Sequence, residues 1–141
     1  MRAIIDTCVI MDAVQNRIPF AQDAQSIFLE AANQTYTGYV TAKAMTDIYY
    51  LVHRCTHDVG ASKTIVGRIG LLFGILDTTE SDIRHAMASD LSDFEDAVMV
   101  ETALRESIDC IVTHNLSDYK DAPLPVYAPQ EFLKKLRGEM S

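Results

Sequence analysis

The sequence predicts an α/β fold of three layers, α/β/α, around a parallel sheet of four to five strands. Short apolar runs rich in β-branched residues, Arg2-Ala3-Ile4-Ile5 and Asp109-Cys110-Ile111-Val112-Thr113, have the length and composition of buried strands. Segments with helical apolar spacing, such as Phe20 to Ala32 and Ala42 to His57, lie between the strand-like runs. Strands that alternate with helices pair in parallel and carry helices on both faces of their sheet.

Taken in order, Arg2 to Ile5 is the first strand, and Asp6-Thr7-Cys8 leads into a short helix from Val9 to Val14. Pro19 precedes a second helix, Phe20 to Ala32, with Phe20, Ala24, Ile27, Phe28 and Ala31 on one face. Tyr36 to Val40, aromatic and β-branched, is a second strand. Thr41 is placed to cap a helix from Ala42 to His57, whose apolar stripe is Met45, Ile48, Tyr49 and Val52. A further helix runs from Ala61 to Phe73 and ends at Gly74, before a brief third strand, Ile75 to Asp77. Thr79 or Ser81 starts a helix reaching about Ser89. Ser92-x-x-Glu95 reads as a capping box opening the next helix, with Ala97, Val100 and Leu104 facing the core. Asp109 to Thr113 is the fourth strand, Pro125 to Tyr127 a last short one, and Pro129 begins a closing helix. No repeat, low-complexity stretch or linker interrupts this order, so residues 1–141 are expected to form a single domain.

Composition narrows the function classes. The hydrophobic fraction of 48% and charged fraction of 23% are ordinary for a globular protein with a proper core. No apolar run approaches a membrane span, and Met1 opens a strand rather than a signal peptide. Cys8, Cys55 and Cys110, an odd number without C-x-x-C spacing, read as reduced, buried thiols, which places the chain in a cytoplasm. The net charge is −8, and 12 of the 20 acidic residues fall between Asp77 and Asp121, against only Arg84, Arg105 and Lys120. That bias disfavours a module binding nucleic acid through phosphate neutralisation alone and suits a site gathering divalent cations, or else a solvated acidic face.

The predicted topology brings acids from four segments to the carboxyl edge of the sheet, where open α/β folds bind their ligands. Asp6 ends the first strand, and Asp47 lies in the second turn of the helix after strand two. Asp93 and Asp96 open the helix that delivers strand four, and Asp118 follows that strand's exit. Each has a purely structural alternative: Asp6 or Thr7 caps a helix, Asp93 and Asp96 favour a helix dipole, Asp118 makes a turn, and Asp47 sits on an exposed face. Together, carboxylates so placed repel one another and need a cation or raised pKa values. Oxygen-only ligands suit Mg²⁺ or Mn²⁺, which in pairs assist phosphodiester cleavage.

Three ordered motifs carry a family resemblance: Asp6-Thr7-Cys8-Val9, Asp93-Phe94-Glu95-Asp96, and Thr113-His114-Asn115-Leu116-Ser117-Asp118-Tyr119. With the closing Pro125-Val126-Tyr127-Ala128-Pro129-Gln130-Glu131-Phe132-Leu133, they span nearly the whole chain. In these the chain resembles the PIN-domain family of metal-dependent ribonucleases, many of them VapC-type toxins held inactive by an antitoxin. The resemblance implies an Mg²⁺- or Mn²⁺-dependent endoribonuclease acting on single-stranded or structured RNA, with Asp6, Asp47, Asp96 and Asp118 as the acidic catalytic site. Asp6, Asp96 and Asp118 would hold the metal, with Asp93 nearby and Thr7, Thr113 and Asn115 as polar supports. It admits an antitoxin protein and a second copy of the chain as partners. Two residues depart from the family's pattern. Cys8 stands where asparagine is common, which points to a looser support around Asp6. His114 stands where arginine is common, which removes a phosphate contact and points to weaker RNA binding.

Those departures motivate an alternative from another class, a non-catalytic PIN-fold module that binds RNA or protein. Other constellations carry less. His53 and His57 have a metal-compatible spacing but no third ligand. A phosphate-accepting receiver domain would want an acidic pair after the first strand and a lysine after the last; Asp6 stands alone and Pro129 follows Tyr127-Ala128.

Overall fold

The computed structural model describes residues 1–138. Along the chain run β1 (Arg2–Ile5), α1 (Thr7–Val14), α2 (Ala21–Ala32), β2 (Thr37–Thr41), α3 (Ala42–Thr56) and α4 (Val59–Leu72). There follow β3 (Gly74–Leu76), α5 (Glu80–Met87), α6 (Phe94–Arg105), β4 (Cys110–Val112), a 3-10 turn (Leu116–Tyr119), β5 (Val126–Tyr127) and α7 (Pro129–Leu136). The five strands form one parallel sheet in the order β3-β2-β1-β4-β5.

Alternation along the strands builds the layers. In β1, Ala3 and Ile5 join a core with Ile10, Ile27, Ile48, Ile69 and Phe132, from α1, α2, α3, α4 and α7. Ile4, pointing the other way, packs with Met99, Val100 and Ala103 of α6. The fold is thus the expected α/β/α sandwich, with five strands. The chain builds outward from β1 through β2 to β3, then returns to place β4 and β5 on β1's other side. The order reverses between β1 and β4, which leaves a crevice at their carboxyl ends.

Several local expectations differ. The α1 helix begins two residues earlier than expected, because Asp6 caps it by accepting the Thr7 N–H at 2.8 Å. Gly74 does not stop a helix but opens β3, paired with Tyr39. A Cβ at Gly74 would lie 2.7 Å from the Tyr39 ring, so close strand approach requires the glycine. The cap of α6 is Asp93, which accepts the Asp96 N–H at 3.0 Å, rather than Ser92. Leu104 is exposed and Ala103 takes the core position. Cys55 is exposed as well, while Cys8 is partly buried and Cys110 buried. Phe20 is not on the core face of α2; its ring stacks on His114 with centroids 4.2 Å apart.

One buried acid outside the crevice belongs to the scaffold. Asp82 caps the Thr79 N–H, accepts the Thr102 hydroxyl at 3.0 Å, and receives Arg105 Nε and Nη2 at 2.9 and 3.0 Å, tying α5 to α6. Among the described residues, no helix is long and apolar enough to cross a membrane.

Candidate metal centre

At the crevice, the β1–β4 ladder continues one step beyond the strands, Asp6 N–H donating to Val112 O at 2.9 Å. That fixes the Asp6 backbone, and three N–H or O–H donors, beside the Cys8 thiol at 3.7 Å, fix its carboxylate. Oδ1 accepts the Thr7 N–H at 2.8 Å, and Oδ2 accepts the Thr113 hydroxyl at 2.8 Å and the Tyr119 hydroxyl at 3.2 Å. Burial raises the Asp6 pKa above the usual carboxylate value, against the hydrogen bonds from Thr113, Thr7 and Tyr119, which lower it.

Asp96 enters from α6. Its backbone N–H is held by the Asp93 cap, and its Oδ1 lies 3.0 Å from the same Tyr119 hydroxyl. The Asp96 pKa is raised to about 7, by burial first and then by the charges of Asp6, Asp93 and Asp118. Tyr119 has one hydroxyl proton for two carboxylates. Its own pKa is pushed far up by burial and by Asp6 and Asp96, so it stays protonated and serves as a donor.

Asp47 faces the same cavity of about 300 Å³, which Asp6, Thr7, Thr41, Lys43, Glu95 and Asp96 also line. It is not a bare carboxylate: Lys43 Nζ lies 2.6 Å from Asp47 Oδ2 and 3.1 Å from Glu95 Oε1. Asp118 sits in the 3-10 turn, exposed, close enough for its charge to act on Asp96 but without a side-chain hydrogen bond among the described residues. The fold therefore brings Asp6, Asp96 and Asp47 to one cavity and leaves Asp118 at its margin.

The supports divide similarly. Thr113 donates to Asp6 and accepts the Asn115 N–H at 3.0 Å, so Asn115 contributes through its backbone. Thr7 likewise acts through its N–H, and Asp93 as the α6 cap.

Three participants were not assigned to the site from sequence. Tyr119 stands at the end of a quoted motif, and its adjacency to Asp118 was the available signal. Lys43 is four residues before Asp47, a helical pair spacing. Cys8, taken as a weakness, lies 3.4 Å from Thr113 Oγ1 and 3.7 Å from Asp6 Oδ2. Burial and the Asp6 charge push its thiol up to about 12, so it remains a neutral S–H beside Asp6. His114 is occupied internally, with Nδ1 bonded to the buried Asp12 and its ring against Phe20.

The donor set fits a hard divalent cation. It is all oxygen, it concentrates negative charge, and it lifts the Asp96 pKa in a way that a cation would relieve. Among the described residues, no three His, Cys, Asp or Glu side chains already stand in metal-holding geometry. Asp6 and Asp96 close on the Tyr119 hydroxyl instead.

A family model described as PIN domain matches residues 2–117. No curated protein sequence matches the chain. Among solved structures, VapBC-1 from nontypeable Haemophilus influenzae is similar with a TM-score of 0.68 at 14% identity, covering 92% of this chain and 99% of that one. FitAcB from Neisseria gonorrhoeae gives 0.64 at 19% identity, with 91% and 98% covered. Mycobacterium tuberculosis VapC20, described as a Sarcin-Ricin loop cleaving toxin, gives 0.61 at 12% identity, with 77% and 86% covered. At these identities the structures speak to the fold alone. The family match spans most of the chain and the crevice acids from Asp6 to Asp96, and on that match the chain belongs to the PIN domain family.

Proposed function

We propose that the chain, as a single domain, is an endoribonuclease dependent on Mg²⁺ or Mn²⁺. The observation that carries this is the meeting of Asp6 and Asp96, from β1 and α6, on one buried hydroxyl at the sheet's switch point, with Asp47 across the same cavity. Asp6, Asp96 and Asp118 would hold the ion. When bound, it would supply activation of water and neutralisation of charge at a scissile phosphate. Thr7, Thr113 and Tyr119 hold the carboxylates by hydrogen bonds, which orients them at the cavity. Lys43 offers a cation on the Asp47 side, where a phosphate can displace one of its two carboxylate partners.

The substrate class is single-stranded or structured RNA, for which the VapC20 likeness offers support. An antitoxin protein is the regulatory partner we propose, because VapBC-1 and a Klebsiella pneumoniae toxin-antitoxin complex share the fold. A homodimer is the assembly proposed with it.

One observation favours a second reading, a PIN-fold module that binds RNA or protein without cleaving. No ready three-ligand geometry exists among the described residues. Calorimetric titration with Mn²⁺ separates the two. Saturable binding at micromolar to millimolar levels, lost in Asp6→Asn, supports the nuclease; no binding by folded protein supports the module.

A further inference from the structure

The α3 face that leaves the acidic cavity carries Lys43, Asp47, Tyr50 and Arg54 at helical spacing, so the four follow one another along one side of the helix. Tyr50 lines the cavity with Asp6 and Asp96 yet is 61% exposed. The Arg54 guanidinium sits 5.8 Å from the Tyr50 ring centroid, and among the described residues no carboxylate forms an ion pair with it. Charge distribution adds an independent argument. Residues 41–73 carry four cationic residues, Lys43, Arg54, Lys63 and Arg68, against two acids, Asp47 and Asp58, in a chain whose net charge is −8.

A polyanion is repelled by the acids of the cavity and must be held by something beside it. Arg54, exposed beside Tyr50 and without an ion pair among the described residues, is a cation on the α3 flank that can do this. An aromatic face is sequence-tolerant toward any base, and an adjacent guanidinium suits both stacking and phosphate. We propose that the outer face of α3 is a seat for single-stranded RNA, in which a nucleobase stacks on Tyr50 and the neighbouring phosphate meets Arg54. The inference rests on the ribonuclease reading and names the substrate contact beside that site.

The test is fluorescence anisotropy of a short labelled single-stranded RNA titrated with the full chain in EDTA, so that binding is read without cleavage. Tyr50→Ala weakens binding about 5- to 150-fold, the range expected for one lost stacking contact. Tyr50→Trp keeps the affinity. Because the chain has no tryptophan, its emission reports on that position alone and is quenched with the same midpoint. Arg54→Gln lowers the affinity and reduces the slope of log K against log salt by about 0.7, the value for one phosphate contact on a single strand. Thermal melts show whether these surface variants remain folded.

Tyr50→Ala binding RNA as tightly as wild type, or Tyr50→Trp emission unmoved by saturating RNA, overturns the seat. If wild type still cleaves RNA with Mn²⁺ in that case, the ribonuclease reading survives; if wild type neither binds nor cleaves RNA, both fall. A Tyr50→Ala variant that changes only the sedimentation coefficient, with RNA affinity intact, overturns the seat in favour of a protein contact.

Discussion

The Tyr119 hydroxyl lies 3.0 Å from Asp96 Oδ1, a bond between the turn after β4 and the first turn of α6. The same oxygen is 3.2 Å from Asp6 Oδ2, so one buried tyrosine joins the carboxylates of two elements. Tyr119→Phe removes the one hydroxyl proton shared between the buried Asp6 and the partly buried Asp96. The expected cost is about 1–3 kcal/mol of metal-free stability. A lowered urea midpoint with an unchanged slope would show it; an unchanged midpoint would mean the contact carries no net stabilisation.

Asp96 gives the metal-free protein a pH dependence of defined sign. Its carboxyl binds a proton more tightly in the fold than in the unfolded chain, with a pKa raised from 3.8 to about 7. Its contribution is therefore fully favourable below about pH 4 and is lost as pH rises toward 7. Asp96→Asn, which mimics the protonated form, is expected to be more stable than wild type at pH 8 by about 1–2 kcal/mol, discounted for partial exposure. The gain shrinks toward pH 4. Scanning calorimetry in EDTA at the two pH values checks this, and equal melting temperatures at pH 8 would contradict it.

Asp82 has the opposite sign. Burial raises its pKa, but Arg105, Thr79 and Thr102 outweigh burial and hold it below 3.8. Its stabilisation is present above pH 4 and lost as pH falls through the lowered value. Asp82→Ala removes an acceptor shared by Arg105, Thr102 and the Thr79 N–H, while Arg105 keeps Asp77 O and Glu106 and Thr102 keeps Val98 O, so the cost is about 1–3 kcal/mol with Mn²⁺ affinity unchanged. Denaturant unfolding alongside metal titration reads both outcomes.

Gly74→Ala tests the packing of β3. The added Cβ meets the Tyr39 ring at 2.7 Å, which forces the ring or the strand to move. A loss of about 1–3 kcal/mol is expected in chemical denaturation.

These residues also show what the sequence could and could not convey. Period and composition sufficed for β1, β4 and, Phe20 apart, most of the buried faces of α2 and α3, because buried strands and amphipathic helices announce themselves locally. The convergence of Asp6, Asp47 and Asp96 followed from topology alone. What stayed hidden depended on contacts between distant segments. Tyr119 reaches Asp6 across 113 positions, and nothing in its own neighbourhood marks its hydroxyl as shared. Gly74 read as a helix stop because glycine ends helices often, whereas here the Tyr39 ring demands it. Cys8 and His114 were judged by what they replaced. In the fold Cys8 touches Thr113, and His114 is bound to Asp12.

The central claim is that Asp6 and Asp96 serve a metal-dependent cleavage of RNA. Its most direct test is to incubate the full chain with end-labelled RNA in Mn²⁺, in EDTA, and in Mn²⁺ with Asp6→Asn or Asp96→Asn. The account predicts discrete internal cleavage in Mn²⁺ only, abolished in EDTA and lost in both folded variants. Folded wild type that cleaves no RNA with Mn²⁺, or cleavage that persists in Asp6→Asn, would contradict it.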